Sequence, residues 1–160
     1  MRFFFIALLS LLCISCASTR KAALSAVEIE EIKPRYIEQQ DFVRVAEYLS
    51  GKENTGNRMI FRSDVDARSG YYFTLILNKK IARLPTGTTI TAEVYSPTLL
   101  DPQSYSFTLP AKRPKTKEIS IGLTGADWPN VDTIPSAWRF TLRGPDGSKL
   151  GTRHSYLWKM

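Results

Sequence analysis

The sequence predicts an all-β fold: an antiparallel two-sheet sandwich of about seven or eight strands. From Phe42 onward, short runs alternate apolar and polar side chains, which is the pattern of half-buried strands. Turn-forming residues separate these runs, and no segment shows the 3.6-residue apolar period of a helix. Immunoglobulin-like topology is the default for such a chain, although a jelly roll or a transthyretin-like order would give the same pattern.

Each predicted strand has its own inward face. The clearest are residues 71–77, 89–95 and 118–123, in which every second residue is mostly aliphatic or aromatic. In the last strand, alternation from Leu150 to Trp158 places every second residue on one side. The sequence Gly-Pro-Asp-Gly at 144–147 predicts a tight turn before it. The predicted strands are 42–49, 58–62, 71–77, 89–95, 105–109, 118–123, 138–143 and 149–158.

The first residues have the layout of an export signal. Arg2 supplies a positive start, and an uncharged run from Phe3 to Ile14 follows it. This run is too short for a permanent membrane span, which needs about 20 apolar residues, but it suits a cleavable signal.

The end of that signal resembles a bacterial lipoprotein signal. A small residue, Ser15, precedes Cys16, although Cys13 stands where the family prefers leucine. The resemblance implies that residues 1–15 are removed, and that Cys16 carries the lipid that joins the chain to a membrane. Because Ser18 is not the aspartate that retains many such proteins in the inner membrane, it also implies an outer-membrane location facing the periplasm. The alternative is ordinary cleavage after Ala17, which would give a soluble periplasmic or secreted protein.

After the signal, the sequence predicts a lipid-anchored tether at 16–40 and one sandwich domain at 41–160. Residues 27–34 alternate weakly, so they form either a short strand or a partly ordered arm. Both cysteines lie in or beside the signal, which leaves no disulfide for the domain. Removal of Arg2 with the signal leaves 21 cations against 15 acids. This basic balance either favours contact with anionic surfaces or, because the lysines and arginines are scattered, only aids solubility.

The sequence predicts no catalytic residue, metal site or cofactor. The single histidine, His154, is interpreted as structural, and there is no nucleophile elbow, phosphate loop or dinucleotide fingerprint. Asp64 and Asp66 resemble the opening of a calcium loop, but the glycine and the distal glutamate are missing. They are interpreted as turn residues, because Asp and Ser before Gly70 are ordinary turn formers between two strands. The alternative is calcium in a sandwich loop, which would need carboxylates from a second loop, such as Asp127 or Asp132.

Two features are candidates for ligand binding. The first is a basic, hairpin-like loop that either is solvated or contacts lipopolysaccharide or a phosphate-bearing wall polymer; its cations are Lys112, Arg113, Lys115 and Lys117. The second is Trp128, which either plugs the end of the sandwich or stacks on a sugar ring or a partner.

The predicted function is a non-catalytic cell-envelope lipoprotein that acts as an interaction or structural module. Its expected partners are the membrane, through the lipid, and an envelope protein or wall polymer; nucleic acid is not expected in this compartment. The alternative is a glycan- or polyanion-binding module of the envelope. A glycosidase is a third hypothesis, which requires two converging carboxylates.

Overall fold

The structure, a computed structural model, describes residues 26–97 and 99–159. The signal and Cys16 lie outside the described residues. Two four-stranded sheets confirm the predicted all-β sandwich, and none of the described helices is long and apolar enough to span a membrane. The strands are β1 (Ile29–Ile37), β2 (Met59–Arg62), β3 (Gly70–Leu77), β4 (Thr89–Tyr95), β5 (Gln103–Thr108), β6 (Glu118–Thr124), β7 (Ala137–Arg143) and β8 (Lys149–His154).

The strand order agrees with an immunoglobulin-like arrangement. The first sheet has the order β1-β3-β6-β2 and the second has β5-β4-β7-β8. Apart from β2, these neighbours correspond to strands A-B-E and C′-C-F-G of an immunoglobulin-like sandwich. β2 takes the edge position of strand D, but it comes from between β1 and β3 and runs parallel to β6. This pair departs from the antiparallel prediction because side-chain alternation carries no information about strand direction.

The hydrophobic core lies between the two sheets. The predicted inward residues of β3, β4, β6 and β7 fill it, because alternate side chains of a strand point to the same face. Phe73, Ile121 and Phe140 are fully buried there. Every buried apolar side chain of the described residues lies between Val27 and Leu142.

The chain from 29 to 37 belongs to the sandwich and not to the tether. β1 pairs with β3 along its length, and Ile29 and Ile32 are buried in the core. Pro34 is tolerated because β1 is an edge strand, where one side of the backbone needs no partner. Residues 29–37, which were expected to belong to a tether at 16–40, are therefore part of the sandwich, which begins before residue 41.

The strand predicted at 42–49 is wrong. Two short helices, α1 (Gln39–Phe42) and α2 (Val45–Ser50), occupy this segment. The ring of Phe42 packs on Tyr72 with centroids 4.9 Å apart, in a small second core outside the first sheet. This tertiary contact removes Phe42 from the alternating pattern on which the strand prediction depended.

The last strand is shorter than predicted. β8 ends at His154, and Tyr156–Lys159 forms a 3₁₀ turn. The register between β7 and β8 shifts between Leu142 and Arg143, so Leu150 has no partner residue in β7. Leu150 packs against the core, whereas Thr152 faces outward beside Thr141. The predicted turn at 144–147 is confirmed, since the Gly144 amide donates to the Ser148 carbonyl over 2.8 Å.

The connections gather at two opposite ends of the sandwich. We call the end where β1 begins the basic end; its connections are 26–28, 55–58, 78–88, 109–117 and 144–148. We call the other the apolar end; its connections are 38–54, 63–69, 96–102, 125–136 and 155–159. Ion pairs of Glu47 with Arg68 and of Glu53 with Arg62 hold α2 and the residues after it against the apolar end.

Candidate functional site

The predicted basic loop crosses from one sheet to the other. It leaves β5 in the second sheet and enters β6 in the first, so the hairpin-like geometry expected for it is wrong. Two hydrogen bonds hold it against the connection 78–88. The Ile81 amide donates to the Thr116 carbonyl over 2.8 Å, and the Arg113 guanidinium, a side-chain group, donates to the Pro85 carbonyl over 3.1 Å. This contact brings two cationic segments of the sequence together.

Positive charge is concentrated at the basic end. Its connections carry eight lysines and arginines against two carboxylates, Glu28 and Asp146. The four cations predicted from sequence are joined by Arg58 and by three residues of the neighbouring connection, Lys79, Lys80 and Arg83. The side chains of Lys112, Lys115 and Lys117 are exposed.

A depression of about 400 Å³ opens at the basic end beside the start of β2. The charged residues in its lining are Arg58, Lys112 and Arg113, and no carboxylate lines it. The Arg113 Nε atom is buried and has no hydrogen-bond partner among the described residues. Burial lowers the pKa of Arg58, and the nearby charge of Arg44 lowers it further. The nearby charge of Glu53 offsets part of this effect, and an anion in the depression would compensate the positive charge further.

Trp128 lies at the apolar end and plugs it. Its side chain is 2 % exposed, and its ring packs on Tyr71 with centroids 5.5 Å apart. The indole N–H donates to the Thr133 carbonyl over 3.0 Å, so its one polar atom is satisfied internally. Of the two roles that the sequence left open, this geometry agrees with the plug, because the buried ring offers no face to a sugar.

Exposed apolar side chains are concentrated at the apolar end. All ten large hydrophobic side chains that are exposed among the described residues belong to its connections. They are Val45, Tyr48, Leu49, Val65, Leu99, Leu100, Val131, Ile134, Tyr156 and Leu157. The same connections carry nine carboxylates against four cations, so their net charge is opposite to that of the basic end. One of these cations, Arg44, lies close to Gly56 and Arg58 of the basic end.

The aspartates at 64 and 66 form a turn. The Asp66 amide donates to Asp64 Oδ1 over 3.0 Å, and the Asp64 amide donates to the Thr124 hydroxyl over 3.0 Å. Within the described part of the chain, no three histidine, cysteine or acidic side chains are grouped so that they could hold a metal ion.

The outer face of the second sheet carries a polar trough that the sequence did not single out. Arg139 makes two hydrogen bonds to Glu93 across β4 and β7, at 2.6 and 2.5 Å, and its guanidinium lies 4.7 Å from the ring centre of Trp158. The trough has a volume of about 530 Å³. Its other lining residues are Thr91, Thr141, Arg143, Lys149, Thr152 and His154.

The residues at the outward positions of β4, β7 and β8 carry the sequence pattern that indicates this trough. Glu93 lies opposite Arg139, and His154 lies on the far side of Arg139, whereas threonines face each other in the next row. Such a row forms only when β4, β7 and β8 are neighbours, which alternation within single strands does not reveal. The hydrogen bond of Arg139 to Glu93 raises the pKa of the guanidinium, so Arg139 stays protonated at neutral pH.

Comparison with models of known protein families and with curated proteins found no match to this chain.

Proposed function

We propose that this protein is a non-catalytic cell-envelope lipoprotein, acylated at Cys16, whose sandwich is an interaction module for a protein partner. The observation that carries the proposal is the placement of the exposed apolar side chains. Seven of the ten lie in the loops of the apolar end and three lie on α2, which the Glu47–Arg68 ion pair joins to that end, whereas the described chain begins at the opposite end. A chain attached to a membrane through its amino terminus would present this apolar end away from its anchor.

The apolar end has the composition of a recognition surface. Monomeric domains rarely keep several large apolar side chains exposed close together unless a partner covers them. Leu100 is 98 % exposed and Leu49 is 87 % exposed, so neither contributes to the core. The surrounding carboxylates would give such a contact a polar rim that favours a partner with basic residues.

A role without catalysis agrees with the chemistry of the polar trough. A glycosidase needs two carboxylates on either side of the bond that it cleaves. The polar trough is lined by one carboxylate, Glu93, which is occupied by its paired hydrogen bonds with Arg139.

Membrane attachment is tested by labelling cells with a radioactive fatty acid and isolating the protein. Cys16→Ser is expected to abolish the label, whereas Cys13→Ser, the matched variant, should keep it, because only Cys16 follows a small residue. Label that persists in Cys16→Ser would contradict acylation at this position and favour the soluble alternative.

The protein partner is tested by photo-crosslinking in intact cells. A crosslinking residue at position 100, in the apolar end, should form one discrete protein adduct. The same residue at position 86, which is exposed at the basic end, should not form it. Leu49→Asp should weaken the adduct from position 100, because a charge within the apolar surface opposes burial. An equal adduct from both positions would contradict a directed interface.

Glycan binding is the second candidate function, and the polar trough favours it. An indole, hydroxyl groups and an ion pair on one open sheet face are groups that recognise sugars through stacking and hydrogen bonds. Retention of the domain on purified wall glycan should then be lost in Trp158→Ala and kept in Tyr156→Ala, a neighbouring exposed aromatic. Equal retention of both variants would remove this candidate.

A further inference from the structure

The basic end combines three properties on one surface. It carries a net positive charge of six from eight cations and two carboxylates. Several of its lysines are exposed on loops that backbone hydrogen bonds hold in place. The chain also enters the sandwich there, because Val27 and Ile29 are buried at the start of β1.

The way the chain enters is fixed by the fold. The Val27 carbonyl approaches Gly151 of β8 so closely that a Cβ added at Gly151 would lie 2.4 Å from it. The Arg153 guanidinium donates to the Ile29 carbonyl over 2.8 Å, which ties the beginning of β1 to the second sheet. The chain is therefore held at this end up to Val27, and whatever attaches to it further upstream starts from the basic end.

The distance from Cys16 allows close contact with a membrane. About ten residues separate Cys16 from Ala26, and an extended chain of that length reaches at most about 35 Å. The basic end is thus the part of the domain that an acyl chain on Cys16 would keep nearest to the bilayer. Anionic headgroups attract clusters of lysine and arginine, with a gain in affinity of about fivefold for each cation near the surface.

The depression lined by Arg58, Lys112 and Arg113 matches a phosphate group. Guanidinium groups bind phosphate oxygens through paired hydrogen bonds, and the buried Arg113 Nε has a donor without a partner. Met59, Ile60 and Pro114 also line the depression, so the cations border an apolar wall. The apolar end, with its excess of carboxylates, would be repelled by the same headgroups.

We propose that the basic end is a docking surface for anionic phospholipid headgroups, with the depression at Arg58, Lys112 and Arg113 receiving a headgroup phosphate. The inference rests on the proposed membrane attachment for its biological setting, but the surface itself belongs to the sandwich. Docking there would hold the domain upright on the bilayer and turn the apolar end away from it.

The test uses residues 26–160 without any lipid, because the two sheets and every buried apolar side chain of the described residues lie within this range. The protein is sedimented with vesicles of phosphatidylcholine alone, or of phosphatidylcholine with phosphatidylglycerol, at low and high salt. We expect binding only to the anionic vesicles and release by salt, because salt screens exposed charges. Equal binding to both vesicle types, or no binding to either, would overturn the proposal.

A pair of matched variants locates the surface. Lys112→Glu with Lys115→Glu reverses two exposed charges at the basic end; Lys33→Glu with Lys52→Glu makes the same change in net charge elsewhere. We expect the first pair to weaken binding to anionic vesicles by at least about 25-fold and the second by less than about threefold. Equal losses would show that only net charge matters, and would overturn the docking surface.

A third comparison tests the phosphate position. Arg113→Gln and Arg83→Gln each remove one charge from the basic end, but only Arg113 lines the depression. Arg113→Gln should weaken binding several-fold more than Arg83→Gln, with thermal unfolding recorded to confirm that both variants are folded; equal effects would overturn the assignment of the depression. Because the soluble domain carries no Cys16, failure of the acylation experiment and failure of vesicle binding are separate results.

Discussion

The basic end and the apolar end of the sandwich differ in the side chains that their connections leave exposed. At the basic end, a backbone hydrogen bond joins Ile81 to Thr116 and the Arg113 side chain donates to the Pro85 carbonyl, while lysines of the same loops stay exposed. At the apolar end, the buried ring of Trp128 and the ion pairs of Glu47 and Glu53 contribute to holding the connections, while large apolar side chains stay exposed. The comparison shows that one sandwich carries two surfaces of different chemistry, one cationic and one apolar with an excess of carboxylates.

The largest expected effect concerns the plug of the apolar end. Trp128→Ala should lower the free energy of unfolding by about 3–5 kcal/mol, because it removes a buried aromatic side chain from between the sheets. Trp158→Ala is the matched change at a half-buried indole outside the core, and about 1 kcal/mol is expected for it. Urea unfolding measures both. A loss below 1 kcal/mol for Trp128→Ala would contradict the plug.

A smaller effect should follow from acidification of the apolar end. Hydrogen bonds from Arg68 and Arg62 lower the pKa of Glu47 and of Glu53 below the ordinary value of 4.5. Their stabilisation is therefore complete above about pH 4.5 and is lost as the pH falls through the lowered folded-state pKa. We expect the amides of α2 to lose hydrogen-exchange protection below about pH 4.5, before those of the core strands.

The control for this pH effect removes the carboxylates. Glu47→Gln with Glu53→Gln should lower the protection of α2 already at pH 7, and should remove the further loss of protection that the unaltered protein shows below about pH 4.5. An unchanged acid response in this double variant would assign the effect to other groups.

The smallest effect on stability is expected at the exposed apolar side chains. Leu100→Asp should change the free energy of unfolding by less than about 0.5 kcal/mol, because the side chain is 98 % exposed. Leu123→Asp is the contrasting variant, since Leu123 is fully buried and the change should prevent folding. A large loss of stability in Leu100→Asp would mean that this residue belongs to the core and not to a recognition surface.

The sequence predicted those parts of the fold that depend on one strand at a time. In β4, strict alternation identified Ile90, Ala92 and Val94 as inward, and all three are fully buried. Alternation gave the wrong prediction over 42–49, because Phe42 is buried by packing on Tyr72, which belongs to a strand later in the chain. The sequence of the four residues of β2 does not indicate that this strand runs parallel to β6.

The candidate surfaces were predictable only in part, for a related reason. The cations from Lys112 to Lys117 are visible in the sequence, but their union with Arg58 and Arg83 depends on which loops the fold places at one end. Trp128 could be named from sequence, whereas its burial depends on its packing against Tyr71. The polar trough is formed by side chains from three neighbouring strands of the second sheet, so no single segment of the sequence predicts it.

The most direct test of the central claim, that the two ends face in opposite directions on a membrane, measures the depth of each end. Residues 17–160 contain no cysteine, so Thr86→Cys at the basic end and Leu100→Cys at the apolar end each introduce one site for a fluorophore in that region. The acylated protein is placed in vesicles that contain phosphatidylglycerol and lipids with a quencher on the headgroup. We predict strong quenching at position 86 and little at position 100. Equal quenching, or stronger quenching at position 100, would contradict the account.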